Sequence, residues 1–108
     1  MPPRPHPHAF LDRLVTALAT ARVRFTWKAD DELAELGWST GDARDVLAAL
    51  SVADFLRTEP SRSVDFTLIW VFCPLLPELD RYLWIRLAED VGGTLVISFH
   101  LAERDPWT

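Results

Sequence analysis

The sequence predicts an α+β domain in which N-terminal helices pack on one face of a three- to four-stranded antiparallel sheet. In the first fifty positions apolar residues recur at three- and four-residue steps, the period of a helix. They then run almost unbroken through residues 64–73, as in a strand covered on both faces. Finally they alternate, one in two, through residues 81–87 and 94–100, as in two half-buried strands. Helices first and strands afterwards, with no βαβ alternation, place one layer of helices on one sheet.

Each element has its own local warrant. Residues 1–7 form a Pro-rich tail, expected to be disordered, in which His6 and His8 flank Pro7 as an incidental pair. Over residues 8–21, Phe10, Leu11, Leu14, Val15 and Leu18 line one helical face. Residues 23–27 carry a short local strand pattern. An acidic helix follows over residues 29–36 and stops at Gly37. Asp30, Asp31, Glu32 and Glu35 are its solvated face, with a basic protein partner as the other use for them. Ser39 or Thr40 caps the next helix, Asp42 in its first turn complements the helix dipole, and Val46, Leu47 and Leu50 give it a buried stripe.

After Ser51 the period changes. Residues 55–58 are extended, 60–63 turn, and the apolar strand over 64–73 is ended by Pro74 and Pro77. Residues 81–87 and 94–100 then pair as a hairpin across 89–93. Its first strand turns Leu83, Ile85 and Leu87 to one face and Tyr82, Trp84 and Arg86 to the other. On its second, Leu95, Ile97 and Phe99 oppose Thr94, Val96, Ser98 and His100. A phenol, a guanidinium and an imidazole thereby share the non-core face.

Composition narrows the function. At 108 residues the chain holds one modest core, placed in a single domain over 8–108, and five Trp and six Phe supply its bulk. No apolar run approaches the ~20 residues of a membrane span, and the N-terminus lacks a signal peptide's apolar stretch, so the expectation is a cytoplasmic protein away from the membrane. The single cysteine, Cys73, excludes an internal disulfide and a thiolate metal cluster, and its apolar setting reads as core. The net charge is −5, with five basic and one acidic side chain in residues 1–29 but one basic and seven acidic in 30–54. Such a balance disfavours tight, nonspecific nucleic-acid binding and leaves room for a local basic site. There is no internal repeat, Gly-rich phosphate loop, metal-ligand spacing or Ser-His-Asp order, and no cofactor is expected.

Several elements, in order, carry a family resemblance. These are Glu35-Leu36-Gly37, a helix leading to Asp54-Phe55-Leu56-Arg57, a strand with Tyr82-Leu83-Trp84-Ile85, and a closing Val96-Ile97-Ser98-Phe99-His100. From about His8 to Ala102 the chain resembles the motility quorum-sensing regulator toxins (MqsR), small members of the RelE-like ribonuclease superfamily. The resemblance implies a toxin of a type II toxin–antitoxin pair, which cuts mRNA without metal and is held inactive by a cognate antitoxin. The family's proposed catalytic group is a Lys after Asp-Phe-x, a Gln in the long strand, a Tyr in the hairpin and a Lys after Ser-Phe. Carried across, these fall on Arg57, on Ile69 or Val71, on Tyr82 and on His100. The Gln is thus replaced by an apolar residue in either alignment.

Metal-free cleavage needs a base for the 2′-hydroxyl, cations around the phosphate and an acid for the leaving 5′-oxygen. Arg57 can hold phosphate bidentately, His100 can move protons near neutrality, and Tyr82 can orient the 2′-hydroxyl or share the transfer. Arg86 would add a phosphate contact, and Trp84 a surface on which a base stacks. The expected site is therefore Arg57, Tyr82 and His100 for catalysis, with Trp84 and Arg86 for RNA binding. The bland alternative has Arg57 and Arg86 paired with Glu59 and Glu89 and the aromatics covering an interface. The chain would then be a catalytically inactive MqsR-like module that binds protein, as a homodimer or in a heterocomplex.

Overall fold

The computed structural model describes residues 5–62 and 68–108. The chain runs α1 (Pro7–Ala19), β1 (Val23–Phe25), α2 (Trp27–Leu36), α3 (Thr40–Ala48), a 3-10 turn (Val52–Asp54), β2 (Phe55–Pro60), β3 (Leu68–Phe72), β4 (Leu75–Leu76), β5 (Arg81–Asp90) and β6 (Gly93–Leu101). The α+β class and the helices-then-strands order hold. The sheet does not match the expected three- to four-stranded antiparallel one: among the described residues it is mixed and has six strands. Its order is β1-β6-β5-β3-β2, with short β4 pairing the start of β5. β1 lies parallel to β6, Val23 facing Thr94 and Phe25 facing Val96. A three-residue strand carries too little pattern to announce that pairing.

The helix ends follow ordinary capping chemistry. Pro7 opens α1, where its fixed φ and missing N–H suit the first helical position, so the Pro-rich segment enters the fold at residue 7. Residues 1–4 lie outside the described residues. Thr26 caps α2 by accepting the Ala29 N–H, which starts the helix at Trp27 rather than Ala29 and ends the strand pattern at Phe25. Gly37, at φ 74°, closes it in the left-handed conformation. Ser39 and Asp42 form a reciprocal capping box on α3, Ser39 Oγ accepting the Asp42 N–H and Asp42 the Ser39 N–H.

The core lies between the helices and one sheet face. Phe10 and Leu14 of α1, Leu33 of α2 and Leu47 of α3 meet Trp70, Phe72, Leu83, Ile85, Leu87, Val96 and Phe99. Phe10 stacks on both Trp70 and Phe72, with ring centres 4.6 and 5.7 Å apart. On the other face a smaller cluster of Ile69, Val71 and Cys73 is packed by Leu56, Trp84 and Ile97. β3 is therefore covered on both sides, as its unbroken apolar run predicts; residues 64–67 of that run lie outside the described residues. Cys73 is buried, as expected of a core thiol.

The hairpin pairs as predicted, Leu83 with Leu101 through Asp90 with Gly93, closing on Val91 and Gly92. The register shifts between Arg86 and Leu87, so Arg86 faces Ser98 while Leu87 faces Val96. A β-bulge at Ile97 breaks the strict alternation expected of β6. Val96 and Phe99 both join the helix-side core, and Ile97 turns to the opposite face. Beyond Leu101 the chain folds back, and the Trp107 indole donates to the Cys73 carbonyl at 3.2 Å.

Candidate nucleotide site on the open sheet face

The face turned away from the helices gathers the predicted site residues. Trp84 of β5 stands directly opposite His100 of β6. Tyr82 and Arg86, two residues either side of Trp84, are the diagonal neighbours of His100, at about 7–8 Å between backbones. Arg57 comes from β2, two strands away from β5. It faces Val71, which faces Arg86, so Arg57, Val71, Arg86 and Ser98 form one row across the sheet. A register shift between Phe55 and Arg57 aims both Leu56 and Arg57 at this face. From there the Arg57 guanidinium reaches over the Trp84 ring, 5.3 Å from its centre.

The guanidinium groups are bridged. Glu59 Oε2 accepts from Arg57 Nη2 at 2.9 Å and from Arg57 Nε at 3.2 Å, while its Oε1 accepts from Arg86 Nε at 3.2 Å. The expected Glu59 partnership of Arg57 is present. Arg86 shares the same carboxylate, and Glu89 instead takes both a 2.6 Å and a 2.9 Å bond from Arg13. A phosphate arriving at this row would take the place of one carboxylate on two arginines.

His100 is held through one ring nitrogen. Its Nδ1 lies 2.8 Å from the Leu101 carbonyl, which can only accept, so Nδ1 carries a proton and Nε2 is the nitrogen left to gain or lose one. Nε2 points toward Glu32 Oε2 at 3.7 Å. Glu32 belongs to α2, which runs along β6 past the end of β1. Its Oε1 accepts the Phe99 N–H at 3.0 Å, satisfying an edge group that β1 is too short to reach, and Lys28 lies 3.5 Å from Oε2. Lys28 also donates to Ser98 Oγ at 2.7 Å. The solvated role expected for the acidic face holds for Asp30, Asp31 and Glu35, whereas Glu32 is half-buried and structural.

Both candidate positions for the family's Gln, Ile69 and Val71, are buried apolar residues of the open-face cluster, and Val71 sits between Arg57 and Arg86. Tyr82 lies at the far end of the face, in a cleft of about 390 Å³ with Asp80, Arg81 and Arg104. Trp84 and His100 line an adjoining cleft of about 240 Å³, and Arg104 borders both. Burial pushes the Cys73 thiol up to about 12, which leaves it a poor nucleophile. Among the described residues no three His, Cys, Asp or Glu side chains form a group that could hold a metal ion, and no helix is long and apolar enough to cross a membrane.

Two contributors escaped the sequence reading. Glu32 had no signal, because its acceptor role depends on where α2 lies beside β6. Arg104 lies beyond the family-like stretch and flanks the site only because the chain turns back after Leu101. No protein-family model matches this chain, and no curated protein matches it.

Proposed function

We propose that this chain is an MqsR-like toxin, a metal-independent endoribonuclease that cuts mRNA and is restrained by a cognate antitoxin. The observation that carries the reading is the opposition of Trp84 and His100, with Tyr82 and Arg86 diagonal to the imidazole and Arg57 over the indole. In this reading His100 Nε2 takes the proton of the 2′-hydroxyl, and the 2′-oxygen attacks phosphorus. The P–O5′ bond breaks and the leaving 5′-oxygen takes a proton from the Tyr82 hydroxyl. Proton transfer from the imidazolium through solvent then restores both groups. Arg86 and Arg57 offset the charge of the crowded phosphate once they release Glu59. Neither Ile69 nor Val71, the two positions on which the family's Gln falls, supplies a hydrogen bond, so the guanidinium pair carries that charge.

The test is expression without a partner, followed by assay of the purified protein on RNA in excess chelator. The expected result is growth arrest and RNA cleavage, both lost in His100→Ala. Normal growth together with intact RNA would remove the reading. A second reading is favoured by the Glu59 bridge and the apolar Ile69 and Val71: a catalytically silent module whose open face binds protein. It predicts a stable complex with a partner protein that is indifferent to His100→Ala.

A further inference from the structure

Arg57 and Arg86 are committed to Glu59, but two other arginines at the ends of the same face are not. Arg62 borders a cleft of about 510 Å³ with Glu59, Ile69 and Arg86. Arg104 borders the Trp84–His100 cleft at the opposite end and the Tyr82 cleft beside it. Both are exposed, and among the described residues neither side chain has a hydrogen-bond or ion-pair partner. Glu103 and Asp105 neighbour Arg104 in the chain without pairing to it. Between the two lie the Glu59-bridged pair and Trp84. The strand from Trp84 to Ala88, level with Glu59, alone spans about 13 Å, longer than a single phosphodiester group.

We infer that the open face is an extended track for single-stranded RNA, in which Arg62 and Arg104 each hold a phosphate flanking the one over Trp84 and His100. The inference rests on the ribonuclease reading and specifies its substrate as several unpaired nucleotides rather than one linkage. Unpaired guanidiniums at the two ends grip the backbone without first breaking an ion pair, and the indole between them offers a sequence-tolerant stacking surface once Arg57 swings off it toward a phosphate. In a chain of net charge −5, such local contacts must supply what long-range attraction does not.

The test measures binding of a fluorescein-labelled 2′-O-methyl octaribonucleotide, which cannot be cleaved, by anisotropy from 20 to 200 mM KCl. The track predicts that Arg62→Ala and Arg104→Ala each weaken binding and flatten the slope of log affinity against log salt by about 0.7. Arg104→Lys should restore the slope, and a dinucleotide should bind far more weakly than the octamer. Arg22→Ala, an exposed arginine in the cleft between α1 and the hairpin turn, controls for net charge and should leave the slope unchanged. Wild-type slopes for Arg62→Ala and Arg104→Ala, an equal effect of Arg22→Ala, or no binding of the octamer would overturn the track. Ordinary RNA cut normally while those two variants bind like wild type sinks the track alone. Salt-sensitive octamer binding without cleavage of ordinary RNA sinks the ribonuclease reading alone.

Discussion

Arg57 stands over Trp84 although a whole strand, β3, runs between their backbones. The intervening residue in the Arg57 row is Val71, a short buried side chain that leaves the guanidinium room to reach across. Such a stack is worth about 0.5–1 kcal/mol at an exposed site, and Glu59 accepts from Nε and Nη2 of the same guanidinium. Together the two contacts fix Arg57 above the sheet.

In the proposed site Glu59 would compete with phosphate for both guanidiniums. Glu59→Gln should keep a hydrogen-bonding side chain on the arginines while removing the competing charge. RNA affinity is expected to rise on the order of threefold, the scale of one exposed ion pair, in an anisotropy titration at 50 mM salt. An unchanged or weaker affinity would show that the bridge orients the arginines instead of occupying them.

Glu32 is expected to matter for stability before it matters for chemistry. Glu32→Ala leaves the buried Phe99 N–H without its acceptor and should cost about 1–3 kcal/mol in urea unfolding. Glu32→Gln keeps an acceptor oxygen and should cost less than half as much. Equal losses in the two variants would point to the ion pairs with Lys28 and His100 rather than the N–H contact.

Gly93 is the tightest point of the hairpin. It adopts φ 126°, and a Cβ there would lie 2.2 Å from the Arg22 carbonyl oxygen, where Thr94 donates to the same oxygen. Gly93→Ala should therefore destabilise by at least about 2 kcal/mol and loosen the β1–β6 junction, seen as faster amide exchange at Thr94. Gly92, whose added Cβ meets only side-chain atoms, should tolerate the same change far better.

Cys73 offers a pH-dependent test of the open-face packing. An unfolded thiol ionises at about 8.5, while burial raises Cys73 to about 12. The folded state then holds a proton that the unfolded state releases, so this contribution is complete below about pH 8.5 and is lost as pH rises toward 12. Cys73→Val should flatten the fall of stability between pH 9 and 11 relative to wild type. Parallel curves for the two proteins would mean that the thiol is not desolvated.

Much of the site's layout was legible because it depends on period alone. The alternation in β5 put Tyr82, Trp84 and Arg86 on one face whatever else the chain did, and the pairing across a Gly-Gly turn brought His100 opposite. The bulge at Ile97 was not legible, since Leu95, Ile97 and Phe99 already make an unbroken alternating face, and only packing beside Leu87 and Ile85 turns Val96 inward with Phe99. The parallel pairing of β1 depends on α1 returning the chain to the β6 edge, a long-range relation that three residues cannot encode. Glu59 was visible as a neighbour of Arg57 two positions away on the same strand face. Its grip on Arg86 required knowing that β3 separates β2 from β5.

The proposed reaction turns on His100 moving the proton that lets a 2′-oxygen attack phosphorus. Its most direct measurement is the end chemistry of RNA incubated with the protein in excess chelator, beside an otherwise identical oligonucleotide with one 2′-deoxy position at the cut. Fragments ending in 2′,3′-cyclic phosphate and 5′-hydroxyl are expected from the first, no cut at the deoxy position in the second, and neither product with His100→Ala. Cleavage that tolerates the missing 2′-hydroxyl, or that survives His100→Ala at the wild-type rate, would contradict it.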